Sequence, residues 1–174
     1  MKLTINTTLF QELVGKALKG ASFNKLLPLT SLLCMTCEGG KFELRTTDGS
    51  NYLYITHDFE GENFGAVVPA DVFGKLISKL TCDTTTLEKE NGVLTVIGNG
   101  KYSIELPLDE NGSEIDYQNP LANMEYKSAT NTIKVSDIAQ ILTVAKPALA
   151  TTMEILAILG IIVTTNVLFQ RIHL

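Results

Sequence analysis

The sequence predicts an α+β fold built from two βαβββ units, with two helices packed against antiparallel sheets. Two observations lead to this prediction. An apolar strand followed by an amphipathic helix occurs near residue 2 and again near residue 64, and three short strand patterns separated by turn signals follow each occurrence. A third strand-and-helix pattern near residue 131 indicates the start of a second domain.

Composition places the chain among ordinary globular proteins. It has 174 residues, of which 45% are hydrophobic and 19% charged, with a formal net charge of −5. This composition favours a folded core over a disordered chain, and the acidic total does not exclude a locally basic surface. The N-terminus lacks a secretory pattern, and the three cysteines are typical of a protein with reduced thiols, so we expect a cytoplasmic location.

The strand-and-helix pattern spans residues 2–18, 64–80 and, more loosely, 131–146. The first two copies align without gaps, and their matching apolar positions have the spacing of one helix face: Leu9, Phe10, Leu13 and Val14 against Val72, Phe73, Leu76 and Ile77. Thr8 and Asp71 are the predicted helix-start residues of these copies. In the third copy Ser136 and Asp137 give the start signal, before an apolar stripe of Ile138, Ile141, Leu142 and Ala145.

Hairpin signals follow each of the first two helices. Gly-Gly and Asn-Gly pairs separate short apolar runs, which is typical of antiparallel strands. The predicted strands are 30–37, 42–47, 52–59, 84–89, 93–97 and 102–106. A single unit would leave sheet edges uncovered, so the two units are expected to pack as one domain. The predicted domains are 1–120, with units at about 1–60 and 63–108, a linker at 121–130, and a partial second domain at 131–174.

Six segments carry a resemblance to a known family: MKLTI (1–5), LPLTSLL (27–33), TTDGSNYLYI (46–55), VPADVFGKLISKL (68–80), GNGKYSIELPL (98–108) and NTIKVSDIAQIL (131–142). In order and spacing they resemble the bacterial sliding clamp, the beta subunit of DNA polymerase III. The resemblance covers about residues 1–150 and implies a DNA-clamp, or processivity, fold. In that family such domains close into a ring around duplex DNA, with sheets outside and helices lining the hole.

The resemblance implies a DNA-binding processivity factor of the replicative polymerase, which would be a non-catalytic subunit of the holoenzyme. Its implied partners are duplex DNA, the polymerase, the clamp loader and further copies of the chain. The pocket for polymerase and loader peptides belongs to later domains of the family. The candidate DNA-binding residues are those on or beside the two helices: Lys16, Lys19, Asn24, Lys25, Lys75 and Lys79. Most acidic residues lie instead on predicted strands and turns.

Other functions remain open on the residues alone. The lysines could be the solvated faces of surface helices, in which case the chain would be a protein-interaction module of clamp-like fold without a DNA role. A small enzyme using Cys34 or His57 is a third alternative. The sequence predicts no catalytic site, cofactor or metal, because Cys34 and Cys37 lack a second ligand pair and strand alternation turns them to opposite faces, with one expected in the core.

The tail from Ile155 to Gln170 carries no charge, but only residues 155–163 are continuously apolar, which is short for a membrane span. By the repeat, LGIIVTT falls where the next strand would begin. The expected hairpin does not follow, so we expect residues 153–174 to be a truncated or frame-shifted end of a clamp subunit and an aggregation risk.

Overall fold

The computed structural model describes residues 1–22, 27–115 and 133–148. The chain divides into two compact units, residues 1–119 and 120–174. The described part of the first unit contains two helices and eight strands: β1 (Lys2–Asn6), α1 (Thr7–Ala17), β2 (Leu32–Glu38), β3 (Lys41–Thr47), β4 (Tyr52–Asp58), β5 (Phe64–Pro69), α2 (Ala70–Ile77), β6 (Thr84–Glu90), β7 (Val93–Ile97) and β8 (Lys101–Glu105). This order confirms the predicted α+β fold with two βαβββ repeats.

The two repeats exchange their first strands. One antiparallel sheet has the order β1-β6-β7-β8 and the other β4-β3-β2-β5, so each sheet holds three strands of one repeat and the first strand of the other. In the first sheet Leu3 pairs with Leu87, and in the second Val68 pairs with Leu33. Exchanging equivalent strands maps one sheet onto the other, which means that a pseudo-two-fold axis relates the repeats.

Local turn chemistry sets the hairpins. The tight turn between β6 and β7 uses Asn91 and Gly92, whose φ angles of 50° and 75° are those that an Asn-Gly hairpin turn requires. The first predicted strand begins later than expected: a 3-10 turn occupies Pro28–Ser31, and β2 starts at Leu32. Proline at the head of that turn has no N–H to donate, which suits a helical turn better than a sheet ladder.

Both predicted helix-start residues, Thr8 and Asp71, stand two positions after the observed N-caps. Strand β1 runs directly into α1, so its last residue, Asn6, is the N-cap, and its side chain accepts a hydrogen bond from the Leu9 N–H at 3.0 Å. Thr8 lies inside the helix. Pro69 precedes α2 in the same way, and Asp71 stands in the first turn, where a carboxylate favours the positive end of the helix dipole.

One hydrophobic core joins both helices to both sheets. Phe10 and Phe73 are fully buried and meet edge to face, and Phe10 also contacts Phe42 on β3 in the same manner. The predicted apolar faces are largely correct, except that Val72 is 55% exposed. The helix turns that position toward solvent, and buried Gly74 takes part in the core-facing stripe instead.

The described part of the second unit contains helix α3, Val135–Ala145. The helix confirms the third helical pattern, but its N-cap is Lys134, so Ser136 and Asp137 lie within the first turn. The helix starts earlier because Lys134 is the last residue with extended backbone angles. Residues 149–174, including the uncharged tail, lie outside the described residues.

Candidate nucleic-acid interface

The side of α1 and α2 that faces away from the core carries most of the candidate DNA-binding lysines. Its exposed residues, which we call the lysine face, are Thr8, Glu12, Gly15, Lys16, Lys19, Asp71, Val72, Lys75, Ser78 and Lys79. Lys19 lies in the 3-10 turn that follows α1, and Lys79 follows the end of α2. Lysines near helix C-termini are favourable because they offset the negative end of the helix dipole.

Contacts between the helices hold the two parts of this face together. The Gln11 side chain donates hydrogen bonds to the carbonyl oxygens of Ile77 and Leu80, each at 2.9 Å. At the other end, Gly74 packs against the Leu18 side chain so closely that a Cβ there would lie 2.4 Å from the Leu18 Cδ1 and would displace that side chain. The middle of each helix therefore meets the end of the other, and the two helices run antiparallel.

Two of the four lysines are held by carboxylates on their own helix. Lys16 Nζ lies 2.5 Å from Glu12 Oε1, and Lys75 Nζ lies 2.7 Å from Asp71 Oδ2. The hydrogen bond and charge of Lys16 lower the pKa of the Glu12 carboxyl. All four side chains are at least half exposed, so solvent screens both pairs and their partners can exchange.

Lys19 and Lys79 have no ion-pair partner among the residues that the structure describes. Asn24 and Lys25, the remaining two candidates, lie outside the described residues. The pairing of Lys75 with Asp71 was not predicted from the sequence. The signal was available, because acidic and basic residues four apart on a helix are adjacent on its surface.

Elsewhere in the first unit, the described ion pairs involve two lysines and an arginine on strands. Lys2 on β1 pairs with Glu88 on β6 at 3.1 Å. Lys89 pairs with Glu114 and donates to the Gly65 carbonyl at 2.9 Å, and Arg45 pairs with Glu43. These acids serve local pairs away from the lysine face.

One of Cys34 and Cys37 was expected in the core, and Cys37 is the one that belongs to the core cluster. Both are buried, at 5% and 2% exposure. Cys37 packs in the core, and burial raises the pKa of its thiol. Cys34 lines a cavity of about 450 Å³ together with Leu106, Pro107 and Ile115. In the described chain, no three His, Cys, Asp or Glu side chains come close enough together to hold a metal ion.

Sequence reasoning also missed a small polar cluster around the third cysteine. The Thr7 hydroxyl is buried and lies 2.8 Å from the Thr85 hydroxyl and 3.5 Å from Cys82 Sγ. Hydrogen bonding to Thr7, with a smaller contribution from Thr85, lowers the pKa of the Cys82 thiol. Residues 7, 82 and 85 are distant in sequence, and only the pairing of β1 with β6 brings them together.

Comparison with solved structures identifies the architecture. Neither a protein-family model nor a curated protein matches the sequence. The beta subunit of the DNA polymerase of Streptococcus pyogenes matches 88% of this chain with a TM-score of 0.73 and 15% identity. The chain has the fold of the bacterial sliding clamp. The DNA polymerase III beta subunits of Pseudomonas aeruginosa and Thermotoga maritima each match 87% of it, with TM-scores of 0.71 and 0.62 and identities of 19% and 22%.

The chain spans about two fifths of the length of these clamps: 41% of the Streptococcus protein and 40% of the other two. This likeness extends to the fold, and it agrees with the resemblance inferred from the six sequence segments. No helix among residues 1–22, 27–115 and 133–148 is long and apolar enough to cross a membrane.

Proposed function

We propose that this chain binds duplex DNA without sequence specificity through the lysine face, and that it acts as part of a sliding clamp for a replicative polymerase. The observation that carries the proposal is the charge of that face. Four exposed lysines stand there against two carboxylates, although the whole chain has a net charge of −5. A local excess of positive charge on paired helices is what a phosphate backbone attracts.

The chemistry of the face favours phosphates over base edges. Apart from the lysines and two carboxylates, its exposed side chains are Thr8, Val72 and Ser78. Sequence-specific recognition usually depends on Arg, Asn or Gln reaching base edges, and none of these is among the described residues that form the face. Lysine on a flexible stem makes exchangeable phosphate contacts, which carry no sequence information and suit movement along the duplex.

The proposed role is non-catalytic. As in the clamps that it resembles, the chain would tether other proteins, namely the polymerase and the clamp loader, in the cytoplasm where replication takes place. Encircling DNA would require several clamp-fold domains, supplied by further copies or further chain. The edge strands of the two sheets, β1 and β8 in one and β4 and β5 in the other, have unpaired edges through which a neighbouring domain could extend a sheet. Light scattering after size-exclusion chromatography tests assembly: a purely monomeric chain would exclude a ring made by it alone.

A charge-reversal experiment tests DNA binding. The variant Lys16→Glu, Lys75→Glu, Lys79→Glu is compared with wild type by fluorescence anisotropy on a labelled duplex at low salt. The matched control reverses Lys2, Lys41 and Lys101, which are exposed on strands. We expect the helix variant to lose binding by at least about tenfold while the control retains most of it, because only the first set faces the DNA.

Equal loss in both triple variants would indicate bulk charge rather than an interface, and unchanged binding in the helix variant would contradict the assignment. If the wild-type chain shows no salt-sensitive DNA binding, the protein-interaction alternative is the better account of the fold.

A further inference from the structure

Both ion pairs on the lysine face occupy a lysine that a phosphate would otherwise contact. In each pair the carboxylate stands four residues before the lysine: Glu12 before Lys16 and Asp71 before Lys75. This order is the more favourable one for such pairs on a helix. The two carboxylates do not occupy equivalent positions in the two repeats, because Glu12 of the first repeat aligns with Lys75 of the second. Each helix nevertheless forms such a pair.

We propose that Glu12 and Asp71 compete with DNA phosphates for Lys16 and Lys75 and thereby limit the affinity of the face. This proposal rests on the DNA binding proposed above. It names the two carboxylates that would regulate the affinity of the lysine face for DNA. A protein that slides must release each phosphate readily. Carboxylates on the same surface offer every released lysine an alternative anion within one helix turn.

Solvent exposure makes the exchange feasible. The Glu12 and Asp71 side chains are 59% and 50% exposed, and their lysines 53% and 70%. Exposed pairs of this type are weak, so a phosphate can displace the carboxylate without desolvating a buried charge. The displaced carboxylate nevertheless stays close to the incoming phosphate, and repulsion between the two anions opposes tight binding.

Counterion release gives the inference a specific signature. Each phosphate that a protein neutralises on B-DNA contributes about −0.9 to the slope of log K against log salt. A lysine already neutralised by a neighbouring carboxylate contributes less, because it exchanges one anion for another. Lys19 and Lys79, which have no ion-pair partner in the described chain, would then dominate the wild-type slope.

The test removes both carboxylates while keeping the size of the side chains. Glu12→Gln combined with Asp71→Asn is compared with wild type on one labelled duplex between about 25 and 200 mM salt. The matched control is Glu90→Gln combined with Glu105→Gln, which removes the same charge from exposed strand positions without a described ion pair. We expect the helix variant to bind about threefold to tenfold more tightly at low salt, with a slope steeper by about 1 to 2.

The control should change affinity by less than about twofold, because Glu90 and Glu105 form no described ion pair with a lysine of the face and solvent salt screens their charges. Equal effects of the two double variants, or a helix variant no tighter than wild type, would overturn the competition while leaving DNA binding intact. Absence of binding in wild type and in all variants would overturn the proposed function and this inference together.

Circular dichroism confirms that each variant is folded. The single variant Glu12→Gln gives a second measurement, in which the slope of log K against log salt should become steeper by about 1.

Discussion

The ring of Phe10 lies edge to face against the ring of Phe73, with their centroids 5.9 Å apart. The two residues occupy equivalent positions in the two repeats, so their contact lies on the pseudo-two-fold axis. Both are fully buried in the core that joins the helices to the two sheets. The contact therefore links the repeats at their point of symmetry.

Truncating this contact should destabilise the whole first unit. Phe10→Ala is expected to lower the free energy of unfolding by about 3 to 5 kcal/mol, because it removes a large buried ring and leaves a cavity. Urea denaturation measures the change. Tyr52→Ala is the control: Tyr52 is 48% exposed, so its removal should cost much less. Similar losses for both variants would contradict the central place of Phe10.

The Gln11 amide supports the helix pair by a different interaction. Its side chain donates to two carbonyls at the end of α2, those of Ile77 and Leu80. Gln11→Met keeps the length of the side chain but leaves both carbonyls without that donor, which should cost about 1 to 3 kcal/mol in the free energy of unfolding. Glu12→Gln, one residue away on the exposed side, should change stability by less than about 0.5 kcal/mol. A neutral Gln11→Met variant would show that water replaces the donor without cost.

The turn after β3 predicts a pH dependence. Asp48 accepts hydrogen bonds from the Asn51 side chain at 3.0 Å and from the backbone N–H groups of Asn51 and Ser50, and these lower the pKa of its carboxyl to about 2. Because the folded-state pKa is below the unfolded value of about 3.9, the carboxylate stabilises the fold above that pH and loses this effect as the pH falls toward 2.

Asp48→Asn tests this effect, since it keeps the shape and an acceptor oxygen but does not titrate. The stability advantage of wild type over the variant should be constant above about pH 5 and should shrink as the pH falls toward 2. Denaturation midpoints at pH 7, 4 and 2.5 follow it. A difference that does not vary with pH would contradict the role of the charged turn.

The three cysteines should differ in reactivity. Cys82 is partly exposed and has a lowered thiol pKa through Thr7, whereas Cys34 and Cys37 are buried and burial raises the pKa of Cys37. We expect iodoacetamide to modify Cys82 at least about tenfold faster than the other two under native conditions. Thr7→Val should slow modification of Cys82, as followed by mass spectrometry. Faster labelling of Cys34 or Cys37 would mean that the core opens readily.

The parts of the fold that could be predicted from the sequence are those that depend on residues close together in the chain. The Asn91-Gly92 turn and the alternating strands around it were found directly, because hairpin pairing depends on adjacent residues. The exchange of β1 and β5 between the sheets was not predicted, since it depends on contacts between residues far apart in sequence, such as Leu3 with Leu87 and Leu33 with Val68. A repeat in sequence reveals that two units are alike and leaves open how they share strands.

In the candidate site, too, local features could be predicted from the sequence and long-range contacts could not. Helical periodicity placed Lys16, Lys75 and Lys79 on exposed faces, which the structure also has. Burial of Cys34 was not predicted, because strand alternation turns it away from the core and does not show what packs against the other face of its strand. The start of α1 at Thr7 was missed because the strand leads into the helix without a loop, which gives Asn6 the role assigned to Thr8.

The most direct test of the DNA-binding proposal is the salt dependence of affinity for two duplexes of identical base composition and unrelated sequence. With two to four lysines contacting phosphates, log K should fall linearly with log salt at a slope of about −2 to −4. The two duplexes should give the same affinity within about twofold, because phosphate contacts carry no sequence information. A slope near zero, or a large difference between the sequences, would contradict binding through the lysine face.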